Sequence, residues 1–247
     1  MGNIIGGKTV NYGIPIGILM LDTRFPRPPG DIGNATTFPF PVAYRIIKGA
    51  DSHRVVVQAD PALIQPFIDS ANELVAEGCK AIITSCGFMA IFQKEMAAAV
   101  PVPVASSSLI QVGLVSKMLK PDQIVGIITA RASSLGEKHF KGVDIENVPK
   151  VVYGIEDTRL GSILLGNAVF EDLHYIDMDQ AEEEMLGVAD RMLADHPNVG
   201  AIVLECTNMP PFARAIQGRT GLPVFDVITL IKYMHNAVVS PMYSGHM

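Results

Sequence analysis

The sequence predicts an α/β fold of two pseudo-symmetric lobes, each a mainly parallel sheet flanked by helices, with a functional cleft between them. Three observations carry this expectation. Short apolar runs of strand length alternate with helical segments along the chain, the pattern of a parallel sheet covered on both faces. The chain also repeats itself: Ala81-Ile-Ile-Thr-Ser-Cys86 is echoed 120 residues later by Ala201-Ile-Val-Leu-Glu-Cys206. The same offset carries Phe92 onto Phe212 and Val102-Pro103-Val104 onto Leu222-Pro223-Val224. Finally, 247 residues that are 49% hydrophobic and 18% charged are enough to bury two real cores.

The elements follow in order. Residues 14–21 read as a buried strand and 54–58 as a second. Residues 62–77 have helical spacing, with Leu63, Phe67, Ala71 and Leu74 on one face and Gly78 as the C-cap. Strands are expected at 81–84, 102–105 and 125–129, with helices at 88–99 and 109–119, the latter ended by Pro121. Residues 181–195 form a helix whose acidic start, Glu182 to Glu184, suits the helix dipole. A strand at 201–204, a helix at 210–219, a short strand at 223–225 and a final helix at 229–238 complete the chain. Gly17-Ile18-Leu19 and Gly126-Ile127-Ile128 add a weaker echo between the halves. The division expected is 1–108 plus 226–247 for the first lobe and 109–225 for the second.

Composition narrows the function classes. A net charge of −6 repels nucleic acid and anionic membranes, and the absence of tryptophan with only 6% aromatics argues against a base-stacking platform. The apolar run 14–21 is too short for a membrane span and lacks the flanks of a signal peptide, so a cytoplasmic location is expected. Neither nucleic acid nor membrane is expected as a partner, and self-association stays open.

Cys79, Cys86 and Cys206 are too few and too sparsely placed for a disulfide framework, and no zinc spacing is present. Cys79 reads as a packed hydrophobe. Cys86 and Cys206 differ, because each follows a strand and precedes a helix. Ligands of parallel sheets bind beyond the carboxyl ends of the strands, and a helix N-terminus favours thiolate. Two facing lobes would set the sulfurs on opposite sides of one cleft. A thiolate and a thiol placed so could remove a proton from one face of a carbon and return one to the other.

Ser85-Cys86-Gly87 and Glu205-Cys206-Thr207-Asn208, in two repeated lobes, resemble the aspartate/glutamate racemase superfamily. That group includes glutamate, aspartate and hydantoin racemases, maleate isomerase and arylmalonate decarboxylase. The resemblance implies catalysis without pyridoxal phosphate or metal, hence no cofactor, on a small carboxylate substrate. Retention of both cysteines implies racemisation or isomerisation. Where glutamate racemases carry Asn-Thr after the first cysteine, Gly87-Phe88 stand here. Where they carry Thr-His after the second, Thr207-Asn208 stand here, so the histidine is absent. Asp22 matches the family's early aspartate.

Other candidates lie at the ligand edge. The segment 23–41 holds five prolines and follows the first strand, as a lid or specificity element would. Arg24 is a candidate carboxylate clamp, and Arg27 reads more readily as a solvated surface side chain. Ser106, Ser107 and Ser108 suit a carboxylate or a helix cap, and Thr129 with Arg131 ends a second-lobe strand. Asp226 reads as a site residue or a cap. The six histidines form no recognisable pair.

The function expected from the sequence is inversion of the α-carbon of an amino acid or derivative such as a hydantoin, with Cys86 and Cys206 as acid and base. Ser85, Gly87, Phe88, Ser107, Thr129, Thr207 and Asn208, with Asp22 and Arg24, are the expected substrate-binding residues. The alternatives are a maleate-type isomerase, a decarboxylase of the same superfamily, or a non-catalytic binder of small carboxylates.

Overall fold

The computed structural model describes residues 7–9, 11–166 and 175–245. Two four-stranded, wholly parallel sheets form, and both have the same topology. The first runs β2 (Val42–Ile47), β1 (Ile16–Leu21), β3 (Ala81–Thr84), β4 (Val104–Ala105). The second runs β6 (Lys150–Gly154), β5 (Ile124–Thr129), β7 (Val199–Leu204), β8 (Val224–Phe225). The expected pair of lobes is therefore present.

The repeat extends to register. Ile82 pairs with Val104 and Ile83 with Ala105, while Ile202 pairs with Val224 and Val203 with Phe225. These are the same pairs displaced by 120 positions. Gly17 faces Ile82 and Gly126 faces Ile202. Both glycines make room for close packing. A Cβ on Gly17 would lie 2.7 Å from Ile82 Cδ1, and one on Gly126 would lie 2.6 Å from Met192 Sδ of the covering helix.

Helices α1 (Ile64–Ala76) and α2 (Gln93–Ala99) belong to the first half, and α3 (Ile110–Ser116) packs on β5 and β7 of the second. Helices α4 (Glu137–Gly142), α5 (Arg159–Leu164), α6 (Met178–Asp195) and α7 (Ala213–Thr220) belong to the second, and α8 (Val227–Val238) closes the chain. Asp60 and Asp177 cap the turns that open the α1 region and α6, each accepting from backbone amides two or three residues on. Strand alternation splits the first sheet's contacts. Ile16, Ile18 and Met20 pack with Val227, Leu230 and Ile231 of α8, whereas Leu19 and Leu21 enter the larger core that spans both halves.

Two expectations need correction. Residues 54–58 are not a strand: His53–Val57 is a single π-helical turn, with Gln58 N donating to His53 O at 3.1 Å. The three β-branched valines favour a strand locally, but Arg54 binds Asp60 and the Gly49 carbonyl, which winds the segment into a turn. The second strand is instead β2, whose strand-forming residues Val42, Tyr44, Ile46 and Ile47 are interrupted by Arg45. It is a half-buried edge strand, as is β6, which also went unpredicted. No helix among the described residues is long and apolar enough to cross a membrane.

Candidate active site

β3 and β7 each run, fully buried, toward the seam between the sheets and end just before a cysteine. Ser85 N donates to Leu19 O and Glu205 N to Ile128 O, both at 2.8 Å, so each ladder continues one residue further. The chain then leaves the sheet. Cys86 has extended backbone angles and leads into a 3-10 turn, Gly87–Phe92, ahead of α2. After Cys206 the turn is Pro210–Phe212, ahead of α7. Both thiols are buried, and both line one narrow cavity. Leu21, Phe25, Arg27, Val56, Phe88 and Leu164 contribute to its walls. A wider groove beside Tyr12, Ile14 and α8 touches neither thiol.

Burial pushes both thiols well above the ordinary cysteine range, and the neighbouring Glu205 charge pushes further. Backbone amides oppose this: those of Phe88 and Met89 donate toward Cys86, and that of Asn208 toward Cys206. Cys86 adds to the rise at Cys206, since a charge on Cys86 disfavours one on Cys206. Only one member of such a pair ionises readily.

Asn208 stands where glutamate racemases carry histidine. Cys206 Sγ donates to Asn208 Oδ1 at 3.5 Å, and Asn208 Nδ2 donates to Asp31 Oδ2 at 2.7 Å. Asp31, 1% exposed, accepts from Arg27 Nη1 at 2.9 Å and from the Gly33 amide at 2.6 Å. The carboxylate fixes the amide group of Asn208 and so turns its oxygen toward the sulfur. A chain of four side chains thus reaches from the proline-rich segment to Cys206. Thr23 Oγ1 holds the other arm of Arg27 at 2.7 Å, and the Phe25 ring lies 4.6 Å beneath the guanidinium.

Glu205 is fully buried and also lines the cavity. Its Oε2 accepts from Thr129 Oγ1 at 2.6 Å, while Oε1 has no partner. Burial holds this carboxyl up at about 7. Gly87 lies against it, and a Cβ at that position would overlap Glu205 Oε1 and its backbone oxygen.

The structure brings Ser85, Gly87, Phe88 and Asn208 to the cavity with both cysteines. Ser85 accepts the Leu21 amide at 2.8 Å. Phe88 meets the ring of buried His139 edge to face, centroids 5.4 Å apart. Thr207 lies behind the wall, donating to Ser85 O at 2.6 Å across the seam, and Thr129 reaches the site only through Glu205. Ser107 accepts from the Leu109 amide, in the turn that leads into α3. Asp226 caps α8. Asp22 and Arg24 pair with each other at 2.7 Å, and the Arg24 side chain is 73% exposed, away from the thiols. Arg27, which read as a surface residue, is the arginine that faces the cavity. Val56 and Ser52, from the turn expected as a strand, line it too. Sequence reasoning also passed over Asp31 and Glu205. Glu205 carries a readable signal, a charged residue at the end of an otherwise apolar strand. His174 and His246 lie outside the described residues.

Solved structures with this arrangement include unliganded arylmalonate decarboxylase, with a TM-score of 0.59 at 14% identity over 93% of this chain and 94% of that one. Picrophilus torridus aspartate racemase gives 0.55 at 14% identity, over 89% of this chain and 94% of its own. The chain therefore has the fold of the aspartate/glutamate racemase superfamily. No protein-family model matches it. A dimethylsulfoniopropionate lyase of Durusdinium sp. clade D is 31% identical over 222 residues, 86% of this chain and 71% of that protein. Dimethylsulfoniopropionate lyase 7 of Emiliania huxleyi strain CCMP1516 is 30% identical over 87% of this chain, which spans 64% of that protein. The chain belongs to the dimethylsulfoniopropionate lyase family, and its relatives are enzymes. These relatives overturn the expected α-carbon racemase of amino acids, because they are lyases, which cleave a bond rather than invert a centre. The bond-cleaving alternative within the superfamily is the closer one.

Proposed function

We propose that this protein is a lyase that cleaves a β-sulfonio carboxylate, dimethylsulfoniopropionate, by elimination. One thiolate of the Cys86–Cys206 pair takes a proton from the carbon next to the carboxylate. The C–H electron pair becomes the new carbon–carbon double bond. The bond from the β-carbon to sulfur breaks, its electrons leaving with sulfur, so the products are dimethyl sulfide, acrylate and a protonated cysteine. The proton then passes to solvent. The sulfonium is already a cationic leaving group, so the chemistry asks for a base and for stabilisation of the enediolate, and for no further activation. The second cysteine, kept as a thiol, supplies one donor, and the amides around both sulfurs supply others. Enclosure strengthens each of these interactions by excluding water.

The carrying observation is that both thiols, from equivalent places in the two repeats, line one cavity in a chain related to these lyases. Ser85, Gly87, Phe88, Phe25 and Asn208 shape that cavity in this reading, and Thr129 and Thr207 hold its walls. Asp22 and Arg24, paired with each other outside the cavity, have no part in it. The lobe division 1–108 plus 226–247 against 109–225 draws support from α8, whose apolar face packs on β1 and β3.

The test is direct. Purified protein is given dimethylsulfoniopropionate, with dimethyl sulfide read by headspace gas chromatography and acrylate by NMR. Equal amounts of both products are expected. Release no greater than that of the Cys86→Ala/Cys206→Ala double variant overturns the proposal.

A further inference from the structure

We propose that the buried carboxylate of Glu205 is the counter-charge for the cationic end of the substrate, and so selects an onium-bearing acid over a neutral one of the same shape. This inference rests on the lyase reading above and adds to it a residue that sets substrate class.

Glu205 is fully buried, lines the cavity of the two thiols, and leaves Oε1 without a partner. A carboxylate removed from water is costly unless paired. Among the described residues nothing pairs it. From β5, Thr129 offers a neutral hydroxyl. From the loop after β3 comes Cys86, and from its own loop Cys206; either thiol, once ionised, repels it. From the proline-rich segment, Asp31 is itself anionic, and Arg27 is held by Asp31 and Thr23. Among the described residues that line the cavity, no cation is left for Oε1.

The fold does not demand a carboxylate there. The equivalent position of the first repeat is Ser85, a small neutral residue that accepts a backbone amide. The charge therefore answers to something other than folding. A substrate that brings a sulfonium supplies the missing partner, and the faces of Phe25 and Phe88 in the same walls suit an onium group. The bound cation would also offset the effect by which Glu205 holds the thiols protonated, so the base ionises more readily when substrate is present.

Two probes that lack the sulfonium leaving group test this by calorimetry: 3-(trimethylammonio)propanoate and its isostere without the cation, 4,4-dimethylpentanoate. The wild-type protein should bind the cationic probe on the order of tenfold to hundredfold more tightly, and Glu205→Gln should bring the ratio close to one. Should the variant fail to fold, the wild-type protein alone decides: its preference should fall about tenfold between pH 8 and pH 5.5 as Glu205 gains a proton. Undiminished preference in Glu205→Gln, or a pH-independent preference, overturns the inference while dimethyl sulfide release leaves the lyase reading intact. A wild-type protein that binds neither probe and releases no dimethyl sulfide overturns the lyase reading, and this inference with it.

Discussion

Gly87→Ala isolates the contact on which the geometry of the site turns. The substitution adds one methyl group at the residue after Cys86. The backbone there does not adopt the left-handed conformation that reserves a position for glycine, so alanine is conformationally allowed. What forbids it is Glu205, whose Oε1 and backbone oxygen already occupy the space a Cβ would take. A backbone oxygen at the end of a buried strand cannot swing aside, so the loops carrying Cys86 and Cys206 must move apart. Overpacking of this kind costs roughly 1–3 kcal/mol, which in a chain of this size lowers Tm by roughly 2–12 °C. A displacement of about 1 Å between reacting groups costs on the order of a hundredfold in rate. The assay is kcat/KM for dimethyl sulfide release beside thermal unfolding of the same samples. Gly113→Ala is the control, since a Cβ there meets nothing closer than 3.7 Å, within helix α3; it should leave activity unchanged and hold or raise Tm. A Gly87→Ala protein with wild-type Tm and kcat/KM would refute the claim that the two thiol loops are held at contact distance by this pair.

Cys86→Ala and Cys206→Ala should each lower kcat/KM by roughly 100-fold to 10,000-fold, whereas Cys79→Ala, which alters only packing near Gly17, should retain activity; equal losses in all three would refute the assignment. Because burial raises the thiols, activity in the wild-type protein should climb with pH through neutrality, about tenfold per unit below the ionisation of the base, and a flat profile between pH 6 and 9 would contradict a thiolate base. Asn208→Ala removes the acceptor for Cys206 and the donor to Asp31, so kcat should fall roughly 10-fold to 100-fold, a loss that Asn208→Gln would not repair if position matters. Glu205 is neutral more readily in the fold than in the unfolded chain, its carboxyl rising from 4.5 to about 7. The stability tied to it is complete below pH 4.5 and lost as pH rises through about 7, so Glu205→Gln should be more stable than wild type at pH 8, by up to on the order of 3 kcal/mol, and no more stable at pH 4.5; urea unfolding at the two pH values checks the sign.

The cysteine pair was legible because its signal is local: each thiol ends a short apolar strand, and the two strands repeat. The central strands were legible for the same reason, being buried on both faces. β2 and β6 were not, since an edge strand covered on one side shows neither an apolar run nor clean alternation. The turn at His53–Val57 misled because three valines in a row speak for a strand, while what decides is Arg54 closing onto Asp60 and Gly49. Arg27 and Asp31 were out of reach for a different reason. Their roles depend on Asn208, 177 residues further along the chain, and no local pattern encodes that meeting. The choice between inverting a centre and breaking a bond was also invisible, because a racemisation and the proposed elimination would both begin with a thiol taking an α-proton.

A stereocentre-inverting catalyst has to be even-handed: whatever waits on one side of the carbon must have its match on the other. The duplicated lobes provide that mirror, down to the register of their strands, and the positions just before the two cysteines break it. One half presents a hydroxyl already spoken for, and the other an acid with an oxygen to spare. A pocket built so has a front and a back. On the proposed reading it suits a molecule whose own ends differ, whose reacting carbon has no handedness to lose, and whose departing fragment leaves uncharged.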